Sequence, residues 1–196
     1  MKMVFLDGNT INRGDLSWKE LESLGELQVF ERTAESEIVN RAHDADSILT
    51  TRTSLSARTI AQLERLRYIG VVFTGYDRVD LKAARERNII VTNVPTYGTA
   101  SVAQLTFALL LELCHHVALH SEATHLGEWS RSTDFSFWKT PLVELEGKTM
   151  GIVGFGRIGR HVAEIAVAMG IALSLTMLSG RMPPNGRSSD GAILTN

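Results

Sequence analysis

Apolar residues along the first half of the chain fall in short runs with helical stretches between them. Met3 to Leu6, Leu27 to Phe30, Asp46 to Thr51, Tyr68 to Phe73 and Ile89 to Thr92 read as strands. Asp7-Gly8 marks a turn after the first. Leu16, Leu21 and Leu24 predict a short helix closed by Gly25. Thr33 is placed to cap a helix whose apolar face includes Ile38, Val39 and Ala42. Ser56 caps the next, with Ile60, Leu63 and Leu66 on one side, and Asp80 caps another that runs through Arg87. Strands and helices that alternate through such short connections require parallel neighbours. The pattern therefore predicts a doubly wound α/β domain. Ligands of such sheets bind beyond the carboxyl ends of the strands. The loop Thr74-Gly75-Tyr76-Asp77-Arg78-Val79-Asp80 lies at such an end, just before a helix start, where free N–H groups can hold a carboxylate. A plain βα loop accounts for the same residues equally well.

Asn93-Val94-Pro95 ends this domain, which is taken as residues 1–98. Ser101-Val102-Ala103-Gln104 has the capping-box pattern and opens a helix to about His120. That helix is apolar almost all round, which predicts burial. Residues 121–146 show no period but hold Trp129, Phe135, Phe137, Trp138 and Pro141. Aromatics at this density suggest a partner surface; an arm folded back on its own domain is the alternative.

Thr149 to Val153 is an apolar run of the kind a buried parallel strand shows. Gly154-Phe155-Gly156-Arg157-Ile158-Gly159 follows, a G-x-G-x-x-G, and Ile158, Val162, Ile165, Ala166 and Met169 then recur at helical spacing up to Gly170. Gly154 lets the chain turn sharply, Gly156 admits a pyrophosphate to the backbone, and Gly159 lets helix and strand pack closely. The strand–turn–helix context favours a dinucleotide site over a tight turn without a ligand. One element of such a site is missing. An acidic residue about 20 positions on usually binds the ribose, yet none occurs between Glu164 and Asp190. Ser179-Gly180-Arg181 stands there, which suits a 2′-phosphate and NADP; the reading preferred is that this end of the chain departs from the pattern. Ile171 to Leu178 predicts a second strand of this domain, residues 99–178. The Pro-, Gly- and Ser-rich stretch within 179–196 predicts a disordered tail.

Composition narrows the function classes. The 196 residues are 44% hydrophobic and 21% charged, with a formal net charge of −2 and no basic block, so neither nucleic acid nor an anionic membrane surface is an expected partner. Phe107 to Leu119 is interrupted by Glu112, His115 and His116 and is not read as a membrane span. The one cysteine, Cys114, allows no internal disulfide, and with no signal-peptide shape at the start a cytoplasmic location is expected. His116 and His120 have helical metal-ligand spacing, but no third ligand is nearby and no metal site is predicted.

The order of motifs then carries a resemblance. Thr74 to Asp80, Val91-Thr92-Asn93-Val94-Pro95, Ser101 to Gln104, Gly127-Glu128-Trp129-Ser130 and Leu145 to Gly159 follow one another as they do in the D-isomer-specific 2-hydroxyacid dehydrogenases. The chain resembles in particular the glycerate dehydrogenase or hydroxypyruvate/glyoxylate reductase type, from Met1 to about Gly170. The resemblance implies a flavodoxin-like substrate domain, a Rossmann NAD(P)-binding domain that is incomplete here, and a site in the cleft between them. It implies that Thr74 and Gly75 hold the substrate carboxylate through N–H groups. It assigns the pyrophosphate to Gly154, Phe155, Gly156, Arg157, Ile158 and Gly159, and a homodimer contact to the arm 121–146. It further implies hydride transfer from NAD(P)H to the C2 carbonyl of a 2-keto acid, with NAD the more usual cofactor. The family's catalytic arginine, glutamate and histidine follow the nucleotide motif at positions this sequence does not match. The chain is therefore expected to be catalytically incomplete and to bind the cofactor weakly, as after a frameshift or premature end. A non-catalytic nucleotide-binding or dimerisation module is the alternative.

Overall fold

A computed structural model describes residues 1–176 and 193–194. The chain forms two compact units, Met1–Tyr97 and Gly98–Asn196.

The first unit is a five-stranded parallel sheet. Its strands are β1 (Lys2–Phe5), β2 (Glu26–Val29), β3 (Ser47–Thr50), β4 (Tyr68–Val71) and β5 (Ile90–Asn93), in the order β2-β1-β3-β4-β5. This is the flavodoxin-like order, and the chain reverses its direction of travel through the sheet between β1 and β3. Met3 pairs with Leu27 on one side and Ser47 on the other. Helices α1 (Lys19–Glu22), α2 (Ile38–Ala42), α3 (Ala57–Gln62) and α4 (Leu81–Glu86) make the connections. Val4, Leu6, Ile48, Ile69 and Val71 from the sheet bury against Ile38, Ala42, Ile60, Leu63 and Ala84. Each fully buried aliphatic side chain contributes about 1.5–3 kcal/mol relative to exposure. On the other face Phe5 meets Trp18 edge-on, at 5.5 Å between ring centroids.

Two of the expected caps form. Ser56 accepts from the Thr59 N–H and Asp80 from the Ala83 N–H. Thr33 does not cap. Its hydroxyl accepts from Arg41, while the Glu37 carboxylate reaches back to the Ala34 N–H ahead of α2. The first helix is a single turn, and Leu16 and Leu24 are exposed rather than packed as an apolar face.

The second unit opens with α5 (Thr99–His115), which differs from its expected form in three ways. It starts earlier, with Gly98 at its N-cap, so Ser101 lies inside the helix and caps nothing. It stops at His116, whose left-handed φ of 46° ends one helix and starts α6 (Val117–His125) at a 60° bend. It is also largely exposed. Only Ala103, Phe107 and Cys114 are buried, whereas Leu105, Leu109 and Leu113 form an open stripe, Leu113 at 72% exposure. No single helix among the described residues is long and apolar enough to cross a membrane.

The second sheet runs β6 (Thr149–Val153), β7 (Ala172–Thr176) and β8 (Ile193–Leu194), all parallel, with α7 (Arg157–Ala168) between the first two strands. Ile152, Leu173 and Leu175 pack with Val162, Ala163 and Ala166 of α7 and with Ala103 and Phe107 of α5. The expectation that β6 is buried fails outside Ile152: Val153 is 70% exposed. Within the stretch predicted as a tail, Ile193–Leu194 pairs with Ser174 and Leu175. Ser179-Gly180-Arg181 and the rest of the predicted tail lie outside the described residues.

Candidate functional site

The first unit holds a cavity of about 490 Å³ at the carboxyl ends of its strands. Thr10 and Ile11 line it from beyond β1, Thr51 and Arg52 from beyond β3, Val72 and Phe73 from beyond β4, and Val94 and Tyr97 from beyond β5. It opens at the reversal between β1 and β3, where neighbouring connections diverge and leave a crevice.

Thr74 and Gly75 follow Phe73 directly. The Thr74 hydroxyl donates to the Val94 carbonyl at 3.3 Å, and the Thr74 carbonyl accepts from the Asn93 side-chain amide at 2.8 Å. The loop is thus tied down through its side chain and its carbonyl. Among the described residues, the N–H groups of Thr74, Gly75 and Tyr76 meet no acceptor in the protein. Unsatisfied backbone donors at the end of a parallel strand are able to bind an anion such as a carboxylate. Arg52 adds charge. Its guanidinium carbon lies 5.8 Å from the centre of the Phe73 ring, and it forms no ion pair among the described residues.

What holds Arg52 there is a buried acid. Asp7, only 6% exposed, ends β1 and turns its carboxylate across to the segment after β3. One oxygen accepts from the Thr51 N–H at 2.8 Å. The other accepts from the N–H groups of Arg52 and Thr53 at 2.8 and 3.0 Å, and from the hydroxyls of Thr51 and Thr53 at 2.8 and 3.0 Å. Burial pushes the Asp7 carboxyl up, but the N–H donors of Arg52 and Thr51 and the two hydroxyls outweigh it and hold the group below the ordinary range. Arg52, Tyr97 and Asp7 were not singled out in the sequence. The available signal was an acid at the end of the first strand together with Thr51-Arg52-Thr53 at the end of the third, and it becomes legible only once those strands are neighbours.

In the second unit, the glycine turn has a geometry that accounts for each glycine. Gly154 has φ +95°, and its N–H donates to the Thr176 carbonyl at 2.7 Å. A Cβ on Gly159 would overlap the Gly154 carbonyl, so the close approach of α7 to β6 depends on that glycine. A Cβ on Gly156 meets nothing within 4 Å, which leaves open space in front of the turn. Gly156 is the N-cap of α7 and supplies no side-chain acceptor, so the first N–H groups of the helix are not capped by it. This arrangement fits a pyrophosphate. Phe155 packs against the core of the unit, and Arg160 stacks over its ring at 5.8 Å. Ile158, expected on the apolar face, is instead exposed in the first turn.

The aromatic arm is fixed at one end and open at the other. Trp129 and Phe137 pack together at 5.6 Å, and Phe137 also lies 6.2 Å from His120. The His120 ring also accepts from the Lys139 N–H at 3.0 Å. Phe135 projects at 96% exposure, and Trp138 is also open. Cys114 is a buried free thiol, and no group of three potential metal ligands occurs among the described residues.

The description "D-isomer specific 2-hydroxyacid dehydrogenase, catalytic domain" matches residues 9–185. The chain belongs to the D-isomer-specific 2-hydroxyacid dehydrogenase family. It is 48% identical over 174 residues to a hydroxypyruvate reductase of Blautia hydrogenotrophica, covering 87% of this chain and 54% of the relative. It is 30% identical over 171 residues to a glycerate dehydrogenase of Methylorubrum extorquens, with the same coverage. A structure of an acyclic imino acid reductase in complex with NADPH and D-Arg superposes with a TM-score of 0.75 at 28% identity, over 100% of this chain and 60% of that one. The chain thus spans about half the length of the curated relatives it matches. The dehydrogenase family uses NAD or NADP and acts on small hydroxy and keto acids.

Proposed function

We propose that this chain carries the substrate-carboxylate and pyrophosphate receptors of an NAD(P)-dependent oxidoreductase acting on a D-2-hydroxy acid and its 2-keto acid, in the class of hydroxypyruvate or glyoxylate reduction. The observation that carries the reading is the set of unmet N–H groups at Thr74, Gly75 and Tyr76, in the loop that directly follows the cavity-lining Phe73. They bind the carboxylate and orient the C2 carbonyl. Gly154, Phe155, Gly156, Arg157, Ile158 and Gly159 would hold the pyrophosphate, with the Arg157 and Ile158 N–H groups as donors. The bound nicotinamide supplies the hydride.

Titration of the chain with hydroxypyruvate is expected to shift the amide resonances of Thr74 to Tyr76, and titration with NADH those of Gly156 to Gly159. Shifts confined to other residues would overturn the assignment. NADH is expected to bind weakly, because Glu164 is followed by no acid before Asp190 to take the ribose; sub-micromolar affinity by calorimetry would contradict this. No histidine or carboxylate lines the cavity among the described residues. A positioned acid–base group contributes typically ~10²–10⁴-fold in rate. This chain alone should therefore oxidise NADH with glyoxylate or hydroxypyruvate far below ordinary enzyme rates.

The same reading includes a homodimer, supported by the exposed aromatics of the arm and the open leucines of α5. A cytoplasmic location and domain limits at 1–98 and 99–178 remain part of the proposal. A dimerisation module without turnover is the second reading, favoured by the same exposed aromatics.

A further inference from the structure

Asp7 is a buried carboxylate in a position where the proposed chemistry needs no acid. Its hydrogen bonds are directed at one short segment, from Thr50 at the end of β3 through Thr53 in the irregular stretch that follows. The same residue also ties the opposite wall of the cavity. The Asp7 carbonyl accepts from the Thr10 hydroxyl at 2.7 Å, and that hydroxyl stands 2.8 Å from the Thr51 hydroxyl. Thr10 and Thr51 both line the cavity. Asp7 thus fixes both sides of the crevice at the β1–β3 reversal. It does so through backbone N–H groups and hydroxyls and never pairs with the Arg52 guanidinium, which is left facing the cavity beside Phe73.

We infer that Asp7 is a positioning residue of the substrate cavity, holding Arg52 where its guanidinium meets the group that a 2-keto acid carries beyond its carbonyl. This rests on the reading of the cavity as the substrate site. A polar substituent such as hydroxymethyl accepts a hydrogen bond from the guanidinium, whereas glyoxylate carries only hydrogen at that place. Asp7 therefore acts on discrimination between acids as well as on affinity.

The test is calorimetric titration of the full chain and its variants with hydroxypyruvate and with glyoxylate. Failure of the unaltered chain to bind either acid would sink the substrate-site reading itself, and Asp7 with it. Given binding, Asp7→Asn is expected to weaken hydroxypyruvate by about tenfold, the size of one lost charge-assisted hydrogen bond, and glyoxylate by less than about twofold. Arg52→Ala should give the same split. The double variant should be no worse than Arg52→Ala alone, because the two residues act as one unit. Equal losses for both acids, or additive losses in the double variant, would overturn the inference in favour of a general structural role. Should Asp7→Asn fail to fold, Thr53→Val removes a single hydroxyl donor to the same oxygen. A smaller loss with the same preference for hydroxypyruvate is then expected, and an unchanged ratio overturns the proposal.

Discussion

Asp7 shows how one side chain sets both stability and site geometry. Its carboxyl is held below the ordinary range, so the folded state favours the ionised form. The sign follows from linkage. A depressed carboxylate contributes stability that is full above the unfolded value near 3.8 and is lost as pH falls through the folded value. Thermal unfolding of the first unit should therefore show no Asp7-dependent change between neutral pH and about 5, then weaken in acid. Asp7→Asn should be less stable at neutral pH and should lack that part of the acid dependence, which melting curves across pH would reveal. The glycine turn offers a second contrast at this scale. Gly159→Ala drives a methyl into the Gly154 carbonyl and should destabilise the second unit by about 1–3 kcal/mol. Gly156→Ala meets no protein atom and sits at an ordinary φ of −80°, so its melting temperature should hardly move while NADH affinity falls. A parallel loss of stability in both variants would show that Gly156 is a packing residue. The turn was legible in the sequence because the glycines depend on local backbone requirements. Asp7 and Arg52 were not, because their partnership needs β1 and β3 side by side.

At the scale of elements, legibility followed the range of the interaction. Ser56 and Asp80 cap as expected because a cap needs only an acceptor three residues before a free N–H. Thr33 and Ser101 have the same chemistry but were displaced by competitors: Glu37 serves the backbone near Ala34, and α5 begins at Thr99. The break at His116 gave no signal, since the left-handed position that usually shows as glycine is filled here by histidine. That substitution carries strain, about 1–2 kcal/mol for a residue with a Cβ. His116→Gly should relieve part of it and, after the greater entropy of glycine in the unfolded chain, stabilise the second unit by about 0.5–1 kcal/mol. Chemical denaturation monitored by helix signal measures this. Destabilisation would mean that the His116 side chain contributes more than its backbone conformation costs.

For the whole molecule, the helix expected from Ser101 to about His120 is apolar almost all round in sequence, yet it is not buried over most of its surface among the described residues. Leu105, Leu109 and Leu113 recur every four residues on one face of α5 that is open among the described residues. The arm contributes Trp129, Phe135 and Trp138, residue types that anchor interfaces. If a second copy covers this stripe, Leu109→Glu with Leu113→Glu places two charges where they must be desolvated on association. The dissociation constant should then rise by at least ~100-fold, since a central apolar anchor contributes about 2 kcal/mol or more. Sedimentation velocity across a concentration series would show a dimer becoming a monomer, with little dependence on salt because the contact is apolar. The variant should also melt close to the unaltered chain at low concentration, where both are monomers. A chain that sediments as a monomer before any substitution, even at high micromolar concentration, would remove the homodimer from the proposed function while leaving the proposed carboxylate and pyrophosphate receptors untouched, since each lies within a single unit of the chain.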